Sequence, residues 1–209
     1  MPALQAAVTV PSLSEISKQA EDCTRCLLYR HATQTVFGEG PSDAPIMLVG
    51  EQPGDQEDRA GRPFVGPAGH ILDEALEKAG LERATVYLTN AVKHFKHEMR
   101  GKRRMHKKPN QGEVQACRWW LDLELQTVHS SIIVAMGVTA AKALLGRTVV
   151  LAREGGRPLT YPGGRAGLVT FHPSAILRMP DKESRHRTFE SLVKGLCKAR
   201  EMADEKSAS

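Results

Sequence analysis

The sequence lacks the features that would place the protein in or across a membrane. It has no apolar run approaching the length of a membrane span, and its N-terminal residues lack the paired basic and apolar regions of a secretion signal. We therefore expect a cytoplasmic protein with no membrane partner. Cysteines are also few, four in 209 residues. In a reducing compartment they argue against a disulfide framework, which leaves metal ligation or free thiols.

The charges are unevenly distributed along the chain. The formal net charge is +5, and much of the excess lies between residues 100 and 108, which we call the basic segment. Its cations are Arg100, Lys102, Arg103, Arg104, Lys107 and Lys108. Such a cluster on an otherwise balanced chain indicates a polyanion such as a nucleic-acid backbone. One histidine, His106, lies among these cations, so the basic segment either only binds phosphate or also carries this histidine to a reaction.

Alternating strand and helix patterns predict the fold. Short apolar stretches at 44–50, 85–90, 130–137 and 167–172 are typical of buried strands, and helical spacing occurs between and after them. This order predicts an α/β fold with three α/β/α layers and a central, mostly parallel four-stranded sheet. A chain of 209 residues fits one domain, expected over 1–200, with a flexible C-terminal tail over 201–209. No feature indicates an oligomer, so a monomer is the default expectation.

Polar side chains follow the predicted strands where each one ends. They are Glu51, Gln52, Asn90, His172 and Ser174. In an open parallel sheet, ligands bind beyond the carboxyl ends of the strands, so we expect these side chains to meet at one edge. A carboxylate, two amides, a histidine and a serine together predict a functional site there, although a turn such as GEQPG alone could be structural.

Four candidate side chains have both a binding and a structural interpretation. The amide of Asn90 can donate and accept, as reading a pyrimidine edge requires, but asparagine is also common in turns. Phe64 could stack on an extruded base or belong to the core. Proline after His172 favours an extended backbone that presents the imidazole at the strand end. Arg178 could bind a phosphate or the basic segment, or lie on the surface.

The cysteines suggest one metal site. Cys23 and Cys26 form a C-x-x-C pair, and Cys117 lies far downstream in a predicted helix. Cys197 falls on an apolar helix face and is expected in the core. His94, shortly after a strand end, is the candidate for a fourth ligand. Three cysteines and one histidine suit zinc and also suit an iron–sulfur cluster, so the pattern alone leaves both open.

Five motifs occur in order downstream of the C-x-x-C pair: GE-x-PG, G-x-PFVGPAG, YLTNAVKH, ACRWWL and HPSAILR. In this combination the sequence resembles the iron–sulfur uracil-DNA glycosylases of the family 4 type, from Cys23 to Phe189. It departs from their usual pattern by having His94 where they have a cysteine, and by having the basic segment. These features, together with Gln52, resemble the UdgX subgroup, whose loop reads K-R-R-I-H where this chain has Met105 in place of isoleucine.

The resemblance implies a cofactor, a substrate and a set of residue roles. It implies a 4Fe–4S cluster held by Cys23, Cys26, His94 and Cys117. It implies a uracil pocket formed by Gln52, Phe64, Asn90 and His172. It implies a catalytic group of Glu51, Gln52, His106 and His172. Contacts to DNA or to the basic segment are implied for Asp55, Asp58, Lys102, Arg103, Arg104 and Arg178.

The same resemblance implies the reaction. The UdgX subgroup is known for covalent attachment to uracil-containing DNA through its loop histidine, which corresponds here to His106. The expected partner is therefore uracil-containing DNA, with single strands accepted, and the expected enzyme is a single-turnover DNA glycosylase. The cluster is expected to be structural, because nothing in the sequence demands redox cycling.

Three other interpretations stay open at the level of the sequence. An ordinary hydrolytic glycosylase with turnover would use His106 only to contact phosphate. A non-catalytic single-strand binding module would use the basic segment and Phe64, although the polar groups at the strand ends argue against it. A zinc-containing nucleic-acid module would use the same cysteines and histidine as metal ligands.

Overall fold

The computed structural model describes residues 11–208. Within this range the strands are β1 (Ile46–Gly50), β2 (Val86–Asn90), β3 (His97–Arg100), β4 (Arg103–His106), β5 (Ile132–Met136), β6 (Leu159–Thr160) and β7 (Ala166–Thr170). The helices are α1 (Leu13–Glu21), α2 (Asp55–Ala60), α3 (Pro67–Lys78), α4 (Gln111–Thr127), α5 (Val138–Leu145), α6 (Leu151–Glu154), α7 (Pro173–Leu177) and α8 (Lys182–Ser207). Of these described helices, none is both long and apolar enough to cross a bilayer.

Five of the strands form one mixed sheet in the order β2-β1-β5-β7-β6. The first four are parallel and β6 is antiparallel to β7, so the α/β prediction is confirmed and the four predicted strands are the parallel ones. The fifth strand, β6, was not predicted, because two residues at a sheet edge give no alternating pattern. Gly50 at the end of β1 lies opposite Asn90 at the end of β2, which brings these carboxyl ends together.

Alternate residues of the sheet face two separate cores. Leu48 of β1 packs on one side in a cluster with Leu192 of α8, and its neighbour Met47 packs on the other side in a cluster with Leu121 of α4. All four side chains are fully buried. Since β-strand side chains alternate between the two faces of a sheet, this division produces the three-layer arrangement.

Two segments differ from the prediction. The tail expected to be flexible from residue 201 is helical, because α8 runs to Ser207 and Ala203 extends its buried stripe one turn beyond Ala199. The basic segment, which corresponds to a loop in the subgroup that the sequence resembles, contributes to an antiparallel hairpin of β3 and β4 with Gly101 and Lys102 at its turn. Gly101 has a φ of 59°, a conformation that glycine adopts without strain.

A buried ion pair joins the segment after β2 to α4. The side chains of Lys93 and Glu124 are both fully buried, and Lys93 Nζ lies 2.5 Å from Glu124 Oε2. Lys93 Nζ also donates to Thr89 Oγ1 and to the backbone oxygen of Asn90. The Glu124 carboxylate accepts from the hydroxyls of Tyr87 and Thr89. Because each buried charge has several partners, the pair holds the end of β2 in one geometry.

We expect Lys93→Met to destabilise the fold by about 3–5 kcal/mol, because it leaves the Glu124 carboxylate buried without its counter-charge. The double variant Lys93→Met/Glu124→Gln should lose less, since the amide is neutral and still accepts hydrogen bonds. Urea unfolding followed by circular dichroism measures both losses. Equal losses in the single and double variants would show that the unpaired charge is not the cause.

Candidate active site

The carboxyl edge of the sheet opens into a cavity of about 510 Å³. The predicted site residues that line this cavity are Glu51, Gln52, Asp55, Phe64, Asn90, His106, His172, Ser174 and Arg178. Residues from four sequence-distant segments therefore meet where the strand ends were expected to place a ligand. The remaining predicted residues, in the hairpin, in α2 and around the cysteines, lie outside the cavity lining.

Three side chains converge over Gly50. A Cβ atom added at Gly50 would lie 2.3 Å from Asn90 Oδ1, 2.6 Å from Phe64 Cζ and 3.2 Å from His172 Nε2, so glycine is required there. Both Asn90 Oδ1 and His172 Nε2 are buried without a hydrogen-bond partner among the described residues. A buried polar atom left unpaired is costly and marks a place where a ligand can bind. One acceptor and one ring nitrogen therefore define a small polar edge in the cavity.

His172 is held as a neutral donor. The backbone N–H of Ser174 donates to His172 Nδ1 at 3.1 Å, so Nδ1 accepts and the proton of the neutral ring is on Nε2. Burial lowers the pKa of His172 to about 4; the Glu51 carboxylate acts in the opposite direction, and the charges of Arg178 and His106 add to the lowering. At neutral pH the ring is uncharged, and it presents an N–H group to the polar edge.

Phe64 adopts a strained backbone conformation. Its φ of 54° is the one positive value among the non-glycine residues of the described chain. Such a conformation costs roughly 1–3 kcal/mol and persists only where the surroundings enforce it. Here α3 enforces it, because a Cβ at Gly69 would lie 2.0 Å from the Phe64 carbonyl oxygen. The strain brings the buried Phe64 ring to 6.0 Å from the His172 ring, at the base of the cavity.

Glu51 has a partner on each carboxylate oxygen. Its Oε1 lies 3.2 Å from His106 Nε2, and its Oε2 accepts from the Thr139 hydroxyl at 2.5 Å. Burial raises the pKa of Glu51, but the hydrogen bonds from His106 and Thr139 and the charges of the nearby imidazoles outweigh it, so the pKa lies below its ordinary value. Thr139 was missed in the sequence, where its position two residues after the Gly137 strand end was the available signal.

The hairpin gives the basic segment two different faces. The pairing of β3 with β4 places Arg104 and His106 on one face and Arg103 and Met105 on the other. Arg104 is directed inward, where it bonds the carboxylates of Asp55 and Asp58 and is only 13% exposed. This ion-pair network fixes the strand that carries His106. Arg103 and the turn residue Lys102 are exposed.

Gln52 lines the cavity, but its side-chain amide bonds the two ends of the hairpin. Gln52 Nε2 donates to the backbone oxygens of Lys96 and Lys107 at 3.1 and 3.2 Å, and its Oε1 accepts from the backbone N–H of Lys96 at 3.2 Å. The side chain that the resemblance implies for uracil binding is thus directed to the base of the hairpin. In this position Gln52 supports His106 through the hairpin backbone.

Three of the predicted metal ligands, all cysteines, lie close together beside the segment that follows β2. Cys23 and Cys117 are buried in one hydrophobic cluster, and Cys26 packs against it. Sulfur atoms of this group accept hydrogen bonds, Cys23 Sγ from Trp120 Nε1 at 3.0 Å and Cys117 Sγ from the backbone of Lys93 at 3.1 Å. Burial raises the pKa of the Cys117 thiol to about 12. Cys197 packs against the main core, as expected.

His94 has a free ring nitrogen with a defined tautomer. The Thr35 hydroxyl donates to the backbone oxygen of Ala20 at 2.8 Å, so its oxygen is left to accept from His94 Nε2 at 3.0 Å. His94 Nδ1 then carries a lone pair, and it is buried with no partner among residues 11–208. Between residues 11 and 208, no three His, Cys, Asp or Glu side chains have the spacing of a single-ion site.

Comparison with known proteins assigns the chain to a family. The family model described as the uracil DNA glycosylase superfamily matches residues 37–196. The chain belongs to the uracil-DNA glycosylase superfamily. This match contains the whole cavity lining, from Glu51 to Arg178. The family part of the sequence-based resemblance is thereby confirmed.

Similar proteins of this superfamily include type-4 uracil-DNA glycosylases. The one from Thermotoga maritima is 36% identical over 180 residues, which cover 86% of this chain and 90% of that protein. The one from Pyrobaculum aerophilum is 36% identical over 175 residues, covering 80% and 86% of the two chains. The one from Archaeoglobus fulgidus is 31% identical over 195 residues, covering 89% and 94%.

We expect NMR of ¹⁵N-histidine-labelled protein to show His172 neutral at pH 7, protonated on Nε2 and titrating near pH 4. The folded pKa of His172 lies below the unfolded value of 6.5, so the unfolded chain binds the proton first as the pH falls. The free energy of unfolding therefore decreases as the pH is lowered from 6.5 to about 4. The variant His172→Asn assigns the signal by removing it. A ring protonated on Nδ1 would contradict the hydrogen bond from the Ser174 backbone, and a ring titrating near pH 6.5 would contradict its burial.

Proposed function

We propose that the protein is a uracil-DNA glycosylase that removes uracil from DNA and becomes covalently attached to C1′ of the sugar through His106. The observation that carries this proposal is the 3.2 Å contact between His106 Nε2 and Glu51 Oε1. It occurs in the cavity that also contains the unpaired polar atoms of Asn90 and His172. A reactive pair and a base-reading pair therefore share one cavity.

Asn90 and His172 are suited to one edge of uracil. The N3–H group of uracil can donate to Asn90 Oδ1, and its O2 atom can accept from the N–H of His172 Nε2. Cytosine has no hydrogen on N3, so it would face Asn90 Oδ1 with two acceptors opposed. A site that leaves buried polar groups unpaired in this way discriminates strongly against the wrong base. Phe64 offers an apolar contact to the same base.

His172 can also stabilise the leaving group. When the bond between C1′ and uracil N1 breaks, the electron pair leaves with the base, and negative charge develops on O2. A donor aimed at that oxygen is worth a few kcal/mol because the hydrogen bond strengthens as the charge develops. The Ser174 backbone keeps the donor on Nε2 throughout this step.

His106 can take the place of water at C1′. Glu51 accepts the Nε2 proton of the protonated imidazole, and the freed lone pair on Nε2 bonds to C1′ as the bond to uracil N1 breaks. The proton on Glu51 then neutralises the uracil anion, directly or through solvent. The products are free uracil and an N-glycosidic bond between the protein and DNA. A positioned imidazole is a stronger nucleophile than water, which favours this course.

The outer face of the hairpin is available to the DNA backbone. Arg100, Lys102 and Arg103 are exposed there, whereas Arg104 is committed to Asp55 and Asp58. Exposed cations that neutralise phosphates give salt-dependent binding without reading sequence. Extruding a nucleotide costs least from a single strand, so we include single-stranded DNA among the substrates.

We further propose that Cys23, Cys26, His94 and Cys117 hold a 4Fe–4S cluster. The chain's own features fit it: three neighbouring thiols, a buried lone pair on His94 Nδ1, and N–H donors from Lys93 and Trp120 directed at sulfur. A four-iron cluster takes one ligand at each iron, so its ligands stand farther apart than those of a single ion. When bound, the cluster would supply a structural cross-link between the segment after α1, the end of β2 and α4.

Covalent capture is tested by mixing the protein with a labelled uracil-containing oligonucleotide and running a denaturing gel, beside a thymine control. We expect a uracil-dependent band that survives heat and detergent. His106→Ser should abolish this band and still release uracil, because the smaller side chain admits water to C1′. A band that persists in His106→Ser would refute His106 as the nucleophile.

His97→Ser is the matched control for this experiment. His97 lies directly across the hairpin from His106 and on the same face, but its contact is with Phe95 and not with Glu51. It should capture DNA as the wild type does. Uracil release by the wild type without any band would instead indicate a hydrolytic glycosylase.

The cluster is tested by iron and sulfide analysis together with visible absorbance. We expect protein purified without oxygen to be coloured, and Cys117→Ser to lose iron and colour. Cys197→Ser is the control and should keep both, because Cys197 is partly buried against the main core and does not belong to the cluster that contains the other cysteines. Colourless protein that contains zinc would contradict the assignment.

A further inference from the structure

We propose that Thr139 is a positioning residue for the reaction, whose hydroxyl fixes the Glu51 carboxylate so that its other oxygen faces His106. This inference rests on the proposed function, because it concerns the group that receives the His106 proton. Thr139 contacts neither the base nor C1′ in this proposal and acts only through Glu51.

The contact is geometrically constrained on both sides. Thr139 is the second residue of α5 and is only 8% exposed, so its side chain has little freedom. Its single hydroxyl proton is donated to Glu51 Oε2 at 2.5 Å, a distance typical of charge-assisted hydrogen bonds between a hydroxyl and a carboxylate. The Glu51 side chain is 21% exposed, so water competes weakly for that oxygen.

The start of α5 brings Thr139 to this position. Gly137 precedes the helix with a φ of 88°, and its backbone N–H donates to the Thr170 carbonyl oxygen at the end of β7. A Cβ at Gly137 would lie 3.1 Å from the Cβ of His172, so the turn passes directly beside the base-reading histidine. The turn after β5 therefore aligns Glu51 through Thr139 and at the same time contacts His172.

Fixing Oε2 also fixes Oε1. A carboxylate is planar, so a hydrogen bond on one oxygen sets the direction of the other, which here lies toward His106 Nε2. The titratable groups that face Glu51 are His106 of β4 and His172 before α7. Thr139 of α5 is an uncharged hydrogen-bond donor to the same carboxylate. Without Thr139 the carboxylate would keep only its contact with His106, would be less firmly oriented and would bind a proton at higher pH, which removes the acceptor for the His106 proton.

The test compares Thr139→Val, which keeps the shape and loses the hydroxyl, with Thr139→Ser, which keeps the hydroxyl. We expect the valine variant to slow the first-order rate of covalent product at saturating DNA by about 10- to 100-fold, the effect of losing one hydrogen bond to a charged group. DNA affinity should be unchanged. The serine variant should react at close to the wild-type rate.

The pH dependence separates positioning from packing. In Thr139→Val the loss of covalent product rate at low pH should begin at a higher pH than in the wild type, whereas Thr139→Ser should keep the wild-type pH dependence. Equal slowing of both variants, or slowing by valine without this change in pH dependence, would overturn the inference. Circular dichroism confirms that both variants are folded.

The outcome is distinguishable from failure of the proposed covalent reaction. If the wild type releases uracil without forming a covalent band, the His106 proposal fails, but the same comparison is made on the rate of uracil release. Glu51 would then orient a water molecule, and its alignment would still depend on Thr139. An unchanged release rate in Thr139→Val would refute the positioning role in that case too.

Discussion

The cavity and the cysteine group both depend on the buried Lys93–Glu124 ion pair. Lys93 Nζ bonds the backbone oxygen of Asn90, the residue that presents an acceptor to the cavity, while the backbone N–H of Lys93 donates to Cys117 Sγ. Lys93 therefore contacts both Asn90 at the cavity and the cysteine group, and the next residue is His94. Two buried charges are tolerated here because the Glu124 carboxylate also accepts from hydroxyls of β2.

The basic segment illustrates why a count of cations misjudges a DNA-binding surface. Because side chains alternate in a strand, the hairpin sends Arg104 inward to Asp55 and Asp58 and leaves Arg103 outside. The inward arginine holds the strand in place, and it is the next inward residue, His106, that reaches Glu51. The same alternation thus gives one short segment both its surface for a polyanion and its candidate nucleophile.

The sequence was most informative where one physical rule governs the outcome. The convergence of Glu51, Asn90 and His172 follows from the rule that parallel strands place their carboxyl ends at one edge, and four strands were visible as apolar runs. The hairpin and β6 were not visible, because a charged strand and a two-residue strand lack an apolar period. Thr139 was hidden in an alanine-rich helix, since its role depends on which segment packs opposite it, and the direction of the Gln52 amide depends on the path of the hairpin backbone.

Three features of this cavity reduce the stability of the protein itself. Phe64 has a strained backbone, and Asn90 Oδ1 and His172 Nε2 are each buried without a partner within the described part of the chain, at a cost of roughly 1–3 kcal/mol per feature. All three lie against Gly50, where a methyl group would not fit, so the costs are concentrated at one point of the rigid sheet. In the proposed function, a base that pairs with both polar atoms recovers both penalties, whereas a base that pairs with one leaves the other in place. On this proposal, discrimination depends on the two atoms acting together.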